Sequence, residues 1–264
     1  LRAGVRCDQP PYGYQDNNGN FAGVEVEMSR QIAEWALGSK DKVTFTCVTA
    51  ENRVPQLLGH KVDLLIATLG VTPERQRVIA FTQPYRWGAS DVLVRKDSGI
   101  EKIDDLKGKT VVSTAGTTNI KQLTEANLAR GLSVNIIPAK DHAEAFLMVE
   151  TDRAVAFVMD DILLASLVAG SKSPDDYVIS KDAFSKPEPY GIMLRKDDAP
   201  FKKVVDAATA ALYTSGEGQK IYDKWFTQKI PPKGLNLNSP AGPEMKKQFA
   251  KPSDSPDPDA YLVN

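Results

Sequence analysis

Short apolar runs alternate with longer amphipathic runs through the first third of the chain. Residues 1–7, 42–48 and 62–68 are compact apolar stretches of the kind found in buried strands. Residues 25–37 and 54–58 instead place their apolar positions at helical spacing. Strands separated by helices are typical of βαβ units and a parallel sheet, so the pattern predicts an α/β protein.

A second series of strands and helices lies between two similar segments. Val92-Leu-Val-Arg-Lys-Asp97 and Ile192-Met-Leu-Arg-Lys-Asp197 are both apolar strands that end in Arg-Lys-Asp. About a hundred residues separate them, enough for a domain. Within that segment the pattern predicts strands at 110–113, 133–138 and 154–159, and helices at 119–130, 143–150 and 162–169. We expect a discontinuous lobe of 1–92 with 195–264, a second lobe of 93–194, and two crossovers that act as a hinge.

The remaining segments carry weaker patterns. Residues 200–213 and 218–226 are predicted to be helical. The tail from residue 240 contains five prolines and few apolar residues, so we expect it to wrap the surface or fray. The loop 10–20 combines turn residues with Tyr12 and Tyr14, and is predicted to arch over a strand end outside the core.

Charge and cysteine content exclude several classes of protein. Among 264 residues, 33 basic side chains nearly cancel 34 acidic ones, so no global basic field attracts nucleic acid. No run approaches the roughly 20 apolar residues that span a bilayer. Cys7 and Cys47 lie in early strands, where a disulfide and two free thiols are equally compatible with the sequence. Only His60 and His142 accompany them, too few for a zinc site.

A carboxylate clamp is predicted where the apolar strand 62–67 ends. Thr68 and Gly70 form a strand-end turn that offers a hydroxyl and backbone N–H groups, and Arg75 follows five residues later. A guanidinium binds a carboxylate through two parallel hydrogen bonds. In the alternative interpretation, the segment from Thr72 starts a helix and Arg75 only pairs with a first-turn acid. The position directly after the turn favours the binding role.

Two further arginines follow predicted strands of the same lobe. Arg6 ends the first strand, and Arg53 follows the second strand just before a helical run. Any one of these arginines alone would be assigned to the solvated surface. Ligands of open α/β sheets bind beyond the carboxyl ends of the strands, so three arginines at such ends indicate a shared site.

The second lobe offers three candidates at strand ends. The Ala-Gly-Thr-Thr turn places Thr118 at a helix start, where N–H groups bind anions, although a plain N-cap also explains its threonines. A phosphate P-loop is excluded because no Gly-Lys-Ser/Thr follows. His142 lies between a strand and a helix, where it can bind or simply cap. Asp160 or Asp161 follows an apolar strand, where a carboxylate can hold an ammonium or cap the next helix.

Several segments together resemble the family 3 periplasmic solute-binding proteins of ABC amino-acid importers, over nearly the whole chain. Within that family the chain is most similar to glutamate/aspartate-binding proteins. The segments are Gly70-Val-Thr-Pro-Glu-Arg-Gln-Arg77, Ala115-Gly-Thr-Thr118, Met159-Asp-Asp161, the two Arg-Lys-Asp crossovers, and the long runs 139–146, 153–164, 190–198 and 230–238.

This resemblance implies a two-lobed type II fold that closes on one amino acid, L-glutamate or L-aspartate, and docks on an ABC permease. It implies a monomeric periplasmic protein whose leader is removed, with no cofactor, no metal and no enzymatic activity. It also assigns roles. Arg75 and Thr118 would hold the α-carboxylate. Asp160, Thr68 and the Gly70 backbone would receive the α-ammonium. Arg6, Arg53 and His142 would take the side-chain carboxylate.

The resemblance has departures and competitors. Ala50 stands where those relatives carry a serine, and the first lobe is less similar than the second. The same fold resembles cyclohexadienyl dehydratases, but Asp160 is better explained as an ammonium partner than as a general acid. It also resembles the ligand domains of sensor kinases and glutamate receptors. Binding is the leading hypothesis.

Overall fold

The chain forms two compact units. A computed structural model describes residues 1–180, 182–231 and 233–263, so Lys181, Pro232 of the run 230–238, and Asn264 lie outside the described residues. One unit combines Leu1–Trp87 with Pro189–Asn264, and the other is Gly88–Glu188. The chain therefore leaves the first unit once and returns once. The division into moving lobes of 1–92 with 195–264 and 93–194 stays a prediction.

The strands and helices that the hydrophobic pattern predicts are present in the first segment of unit 1, with three short strands that it did not predict between the first strand and the first helix. Its elements are β1 (Arg2–Val5), β2 (Asp8–Gln9), β3 (Gly13–Gln15), β4 (Phe21–Ala22), α1 (Val24–Leu37), β5 (Thr44–Cys47), α2 (Arg53–Leu58), β6 (Leu64–Leu65), α3 (Pro73–Val78) and β7 (Ile79–Gly88). In α1 the buried side chains Val24, Met28 and Ile32 recur every four residues. The helix ends at Gly38, whose φ of 80° suits glycine.

Unit 2 follows with its own sheet, and the chain then returns to unit 1. Unit 2 contains β8 (Ser90–Arg95), β9 (Thr110–Thr114), α4 (Thr118–Arg130), β10 (Asn135–Ala139), α5 (His142–Glu150), β11 (Ala156–Asp160), α6 (Asp161–Gly170) and β12 (Tyr177–Ile179), with 3-10 turns at Lys96–Ser98, Ile103–Leu106 and Pro174–Asp176. The return segment contains β13 (Glu188–Arg195), α7 (Ala199–Thr214), α8 (Glu217–Phe226), α9 (Pro243–Ala250) and a final 3-10 turn at Pro258–Tyr261.

Each unit is built on a five-stranded mixed sheet. In unit 1 the order is β5-β1-β6-β13-β7; β1 pairs in parallel with β5 and β6, and β13 runs antiparallel to β6. In unit 2 the order is β10-β9-β11-β8-β12, with β8 antiparallel to both of its neighbours. The predicted α/β class is confirmed. The predicted all-parallel sheet is wrong, because β13 in unit 1 and β8 in unit 2 run antiparallel to neighbouring strands.

The two cysteines form a disulfide. In the register of the parallel pair β1 and β5, Val5 lies opposite Cys47. Cys7 follows β1 by two residues, and the Cys7 and Cys47 Cα atoms are 5.4 Å apart. The sequence left this pairing open, and the strand order decides it.

Two expectations about irregular segments were wrong. The loop 10–20 does not lie outside the core: Tyr12 is fully buried, with its ring edge-on to Tyr190 and Phe226 at 5.8 and 5.4 Å between centroids. The tail does not fray throughout, because α9 packs against α7 and buries Phe249 against Tyr213. No helix within the described ranges is long and apolar enough to cross a membrane.

Candidate ligand-binding site

Three arginines of unit 1 are held near the ends of strands. Arg6 directly follows β1 and is 1% exposed, with its Nη2 3.1 Å from the Asp8 carboxylate. Arg53 begins α2 and is 3% exposed. Arg75 lies in α3, whose N-cap Thr72 accepts the Arg75 N–H at 3.2 Å. The predicted helix start is therefore present, yet the Arg75 side chain turns back to the strand-end turn.

The guanidiniums of Arg53 and Arg75 donate to carbonyl groups of that turn. Arg53 Nη1 donates to the Ala67 and Thr68 carbonyls at 2.8 and 3.1 Å, and Arg75 Nη1 donates to the Gly70 carbonyl at 2.8 Å. These contacts join α2 and α3 to the chain that leaves β6. They bring four of the predicted residues together, counting both arginines, Thr68 and Gly70.

The arginines also repel one another. Burial lowers the pKa of the Arg53 guanidinium well below its usual range, and the positive charges of Arg75 and Arg6 lower it further. Arg53 Nε is buried and has no hydrogen-bond partner in the part of the chain that the structure describes. A buried donor without a partner is unfavourable by about 1–3 kcal/mol. A bound anion would relieve both effects.

Glu25 and Tyr85 complete the cluster of unit 1, and the sequence did not identify them. The Thr68 N–H donates to Glu25 Oε1 at 2.8 Å and to the Tyr85 hydroxyl at 2.9 Å. Thr68 has a φ of 50°, unusual for a β-branched residue, and these two contacts hold it there. One signal was available: Glu25, Ser29 and Ile32 share the buried stripe of α1, where a carboxylate is out of place.

The candidate residues of unit 2 lie at one edge of its sheet. β9, β10 and β11 are neighbouring parallel strands, and each leads into a helix from its carboxyl end. Thr118, His142 and Asp161 are the first residues of those helices, and Asp160 ends β11. The parallel pairing thus gathers the predicted unit 2 residues at the carboxyl edge.

Thr118 and His142 are not the helix caps. Thr117 caps α4 by accepting the Ile120 N–H, so the Thr118 hydroxyl is left without a hydrogen-bond partner among the described residues. Asp141 caps α5, which removes the capping explanation for His142. The buried His142 ring has its Nδ1 2.6 Å from the hydroxyl of Thr114, the last residue of β9.

Asp160 is positioned by a neighbour that the sequence also missed. The buried Asn119 donates through Nδ2 to Asp160 Oδ1 at 2.7 Å and to Ser90 Oγ at 2.6 Å. Ser90 Oγ in turn donates to Gln122 Oε1, and Gln122 Nε2 donates to Glu188 Oε1 at 2.9 Å. This series of hydrogen bonds runs from Asp160 to Ser90 and Glu188, which lie beside the two crossovers. The only sequence signal for Asn119 is its place directly after Thr118.

All eight predicted residues therefore fall into two clusters, one in each unit. Unit 1 holds Arg6, Arg53, Thr68, Gly70 and Arg75, and unit 2 holds Thr118, His142 and Asp160. Their roles toward a ligand stay predictions. Across the described ranges, no group of three or more His, Cys, Asp and Glu residues could hold a metal ion.

Comparison with known proteins places the chain in a family. The model of the bacterial extracellular solute-binding proteins, family 3, matches residues 1–228. An L-glutamate/L-aspartate-binding protein of Pseudomonas aeruginosa is 48% identical over 213 residues, 81% of this chain and 70% of that protein. The glutamate/aspartate import solute-binding protein of Escherichia coli is 38% identical over 255 residues, 95% of this chain and 84% of that protein.

Solved structures show the same fold. An ancestral arginine-binding protein with bound arginine matches with a TM-score of 0.78 at 29% identity, over 86% of this chain and 97% of that one. The solute receptor for L-cysteine of Neisseria gonorrhoeae matches with a TM-score of 0.78 at 31% identity, over 85% and 89% of the two chains. The family consists of binding proteins rather than enzymes. The chain belongs to family 3 of the bacterial extracellular solute-binding proteins.

Proposed function

We propose that this protein binds L-glutamate or L-aspartate and delivers it to the membrane permease of an ABC importer. The observation that carries the proposal is the surplus of positive charge in unit 1. The cluster has three guanidiniums, Arg6, Arg53 and Arg75, against the fully buried carboxylate of Glu25 and the partly exposed carboxylate of Asp8, which contacts Arg6. Buried charges of one sign require compensation, and a ligand with two carboxylates supplies it.

Each predicted residue receives a role in this proposal. Arg75 and Thr118 bind the α-carboxylate, since a guanidinium and a free hydroxyl at a helix start both suit an anion. Asp160 binds the α-ammonium, with Thr68 and the Gly70 carbonyl, which has a second lone pair beside the one Arg75 uses. Arg6, Arg53 and His142 bind the side-chain carboxylate. The ligand thus requires groups from both units.

The relatives support an acidic ligand rather than a basic one. The proteins named for glutamate and aspartate share 38% and 48% identity with this chain, against 29% for the ancestral arginine-binding protein. The charge of unit 1 favours the same choice, because three guanidiniums repel a cationic side chain. The cyclohexadienyl dehydratase and sensor-domain alternatives are not favoured, because the family and these relatives are import binding proteins.

Calorimetric titration across the twenty amino acids tests the proposal. Wild type should bind glutamate or aspartate most tightly. Arg75→Ala should weaken binding of every amino acid, because it removes the contact with the common α-carboxylate. Arg53→Met should selectively weaken binding of acidic ligands. Loss of a charge-assisted hydrogen bond is worth about 1.5–3 kcal/mol, so each affinity should fall roughly 10- to 100-fold.

A matched control separates binding from folding. Arg77 is exposed on the same helix as Arg75, so Arg77→Ala should leave affinity unchanged. Equal tolerance of Arg75→Ala, Arg53→Met and Arg77→Ala by all ligands would refute the assigned roles. A wild type that prefers arginine or another neutral or basic amino acid would refute the ligand class.

Location and assembly belong to the same proposal. The family is extracellular, and the disulfide between Cys7 and Cys47 suits an oxidising compartment such as the periplasm. We propose that a leader is removed and that the protein is a monomer. N-terminal sequencing of protein released by osmotic shock, and light scattering on the purified protein, test these two points.

A further inference from the structure

Glu25 is a fully buried carboxylate at the centre of the unit 1 cluster. Its side chain is 0% exposed. Oε2 accepts the backbone N–H of Arg6 at 3.1 Å, while Oε1 accepts the Thr68 N–H at 2.8 Å and the Tyr85 hydroxyl at 3.0 Å. One side chain of α1 thus joins the end of β1, the turn after β6 and the strand β7. Two of these partners are themselves assigned to the ligand.

The space beside Glu25 is kept by a glycine. A Cβ atom added at Gly13 in β3 would lie 2.7 Å from Glu25 Oε2 and 2.3 Å from the Arg6 carbonyl oxygen. Real side chains do not approach this closely, so the position next to the carboxylate accepts glycine alone. The backbone of β3 therefore packs directly against this side of the Glu25 carboxylate.

The charged and titratable groups that face Glu25 come from three elements. Arg6 faces it from the end of β1, Arg53 from α2, and Tyr85 from β7. Gly13 of β3 and Thr68 of the turn carry no titratable side chain. Glu25 is thus an internal anion beside the two arginines to which the ligand side-chain carboxylate is assigned.

We propose that Glu25 is a positioning residue that also couples acidic-ligand binding to protons: it holds the Arg6 and Thr68 backbones in place, and it takes up one proton from solvent when the ligand carboxylate reaches Arg6 and Arg53. This inference rests on the proposed function. It extends that function by identifying Glu25 as the internal negative charge that competes with an acidic ligand for Arg6 and Arg53.

The physical reason is competition between two carboxylates for the same cations. In the free protein, ionised Glu25 partly neutralises Arg6 and Arg53. A ligand carboxylate at the same arginines repels it, and like charges at one site favour protonation of one of them. Burial already raises the pKa of Glu25 to about 7, against the opposing hydrogen bonds from the Arg6 N–H and the Tyr85 hydroxyl. Protonation near neutral pH therefore requires little free energy.

The hydrogen-bond network can accept the proton with the rotation of one hydroxyl. A hydroxyl both donates and accepts, so a proton on Glu25 Oε1 can be donated to the Tyr85 oxygen once the Tyr85 hydroxyl hydrogen has rotated away from Oε1. Oε2 still accepts the Arg6 N–H in that state. The backbone positions that Glu25 holds are thus kept in both charge states.

The sign of the pH dependence follows. The acidic ligand raises the pKa of Glu25 above its value of about 7 in the free protein. Affinity for glutamate is therefore highest below pH 7, falls as the pH rises through the interval between the two pKa values, and then levels off. One coupled proton limits the slope to about tenfold per pH unit. Glutamine brings no side-chain charge, so its affinity should vary much less.

Titration calorimetry in two buffers measures the proton directly. L-Glutamate is titrated into the protein at pH 7.5 in phosphate and in Tris, whose ionisation enthalpies differ, so the difference in heat gives the protons taken up. Glu25 is already partly protonated at this pH in the free protein, so wild type should take up less than one full proton. Glu25→Gln should lose that uptake and flatten the pH profile of affinity. Glu27→Gln removes the same charge from the same helix at a partly exposed position, and should retain both.

His142 is a second group that can take up a proton, so only the uptake lost in Glu25→Gln is assigned to Glu25. A Glu25→Gln protein that binds glutamate with wild-type proton uptake overturns the proposal. If Glu25→Gln does not fold, Tyr85→Phe serves instead. The Tyr85 hydroxyl lowers the pKa of Glu25, so its removal should raise that pKa and move the fall in affinity to higher pH. An unmoved pH profile overturns the proposal. A wild type that binds no acidic amino acid refutes the proposed function itself.

Discussion

Removing the disulfide between Cys7 and Cys47 should destabilise unit 1 by about 4 kcal/mol. The two cysteines are 40 residues apart in sequence, and the bridge joins the chain after β1 to the end of β5. Closing a loop of that length in the unfolded chain removes an entropy of about 13 cal/mol/K, which gives this figure at 25 °C. For a unit of this size each kcal/mol shifts the melting temperature by about 2–4 °C, so it should fall by roughly 8–16 °C.

Tryptophan fluorescence is a selective assay for this unfolding. The chain has three tryptophans, Trp35, Trp87 and Trp225, and all three lie in unit 1 together with the disulfide. Trp225 is buried, so its emission should change when the unit unfolds. The Cys7→Ser/Cys47→Ser double variant is compared with wild type by thermal and urea unfolding. Wild type treated with reductant should match the double variant.

The double variant also provides the control, because reductant should not change its unfolding at all. A loss of stability below about 1 kcal/mol, or a melting temperature within about 3 °C of wild type, would contradict the loop-entropy argument. Such a result would mean that the unfolded chain keeps the ends of β1 and β5 together without the bridge.

Two further substitutions test single contacts. Asn119→Ala removes one donor to the partly buried Asp160, so amino-acid affinity should fall roughly tenfold in calorimetric titration, from the loss of a hydrogen bond to a charged group worth about 1.5 kcal/mol. The hydrogen bonds from Arg2, with help from Arg195, lower the pKa of Asp63 to about 2. Its ionised form therefore stabilises the fold above about pH 4, and this contribution is lost as the pH falls toward 2. Asp63→Asn should lower urea stability by about 1–2 kcal/mol at pH 7 and little at pH 2.

Each of these substitutions has its own control. Thr124 is exposed on the same helix as Asn119, and Thr124→Ala should leave affinity unchanged. Unchanged affinity in Asn119→Ala would show that Asp160 needs no positioning or does not contact the ligand. For Asp63, the control is the exposed Asp97, which pairs with Arg95, so Asp97→Asn should show a smaller loss at pH 7. A stability difference for Asp63→Asn that does not shrink at low pH would contradict the ion-pair explanation.

Local pattern alone predicted most of the longer strands and helices, although not the short strands β2 to β4 or the helix α9. The stripe of Val24, Met28 and Ile32 predicts α1 within one residue of its observed start, because helical periodicity is set by neighbours a few residues apart. The sequence also identified the candidate ligand residues: the three strand-end arginines, Thr68 and Gly70 of the turn, and Thr118, His142 and Asp160 of unit 2. Those residues were found because parallel strands end at one edge of a sheet, a rule that needs no coordinates.

Tertiary structure alone decided which distant groups share an environment. Glu25 meets Arg6, Thr68 and Tyr85 across 19, 43 and 60 residues of sequence, and no periodic pattern reaches that far. The disulfide depended on β1 and β5 being neighbours, and the burial of Tyr12 depended on the return of the chain through Tyr190. The sequence thus predicted most of the longer elements and the residues at their ends. The strand order then determined the charge that those residues face, because electrostatics and burial depend on distance in space rather than along the chain.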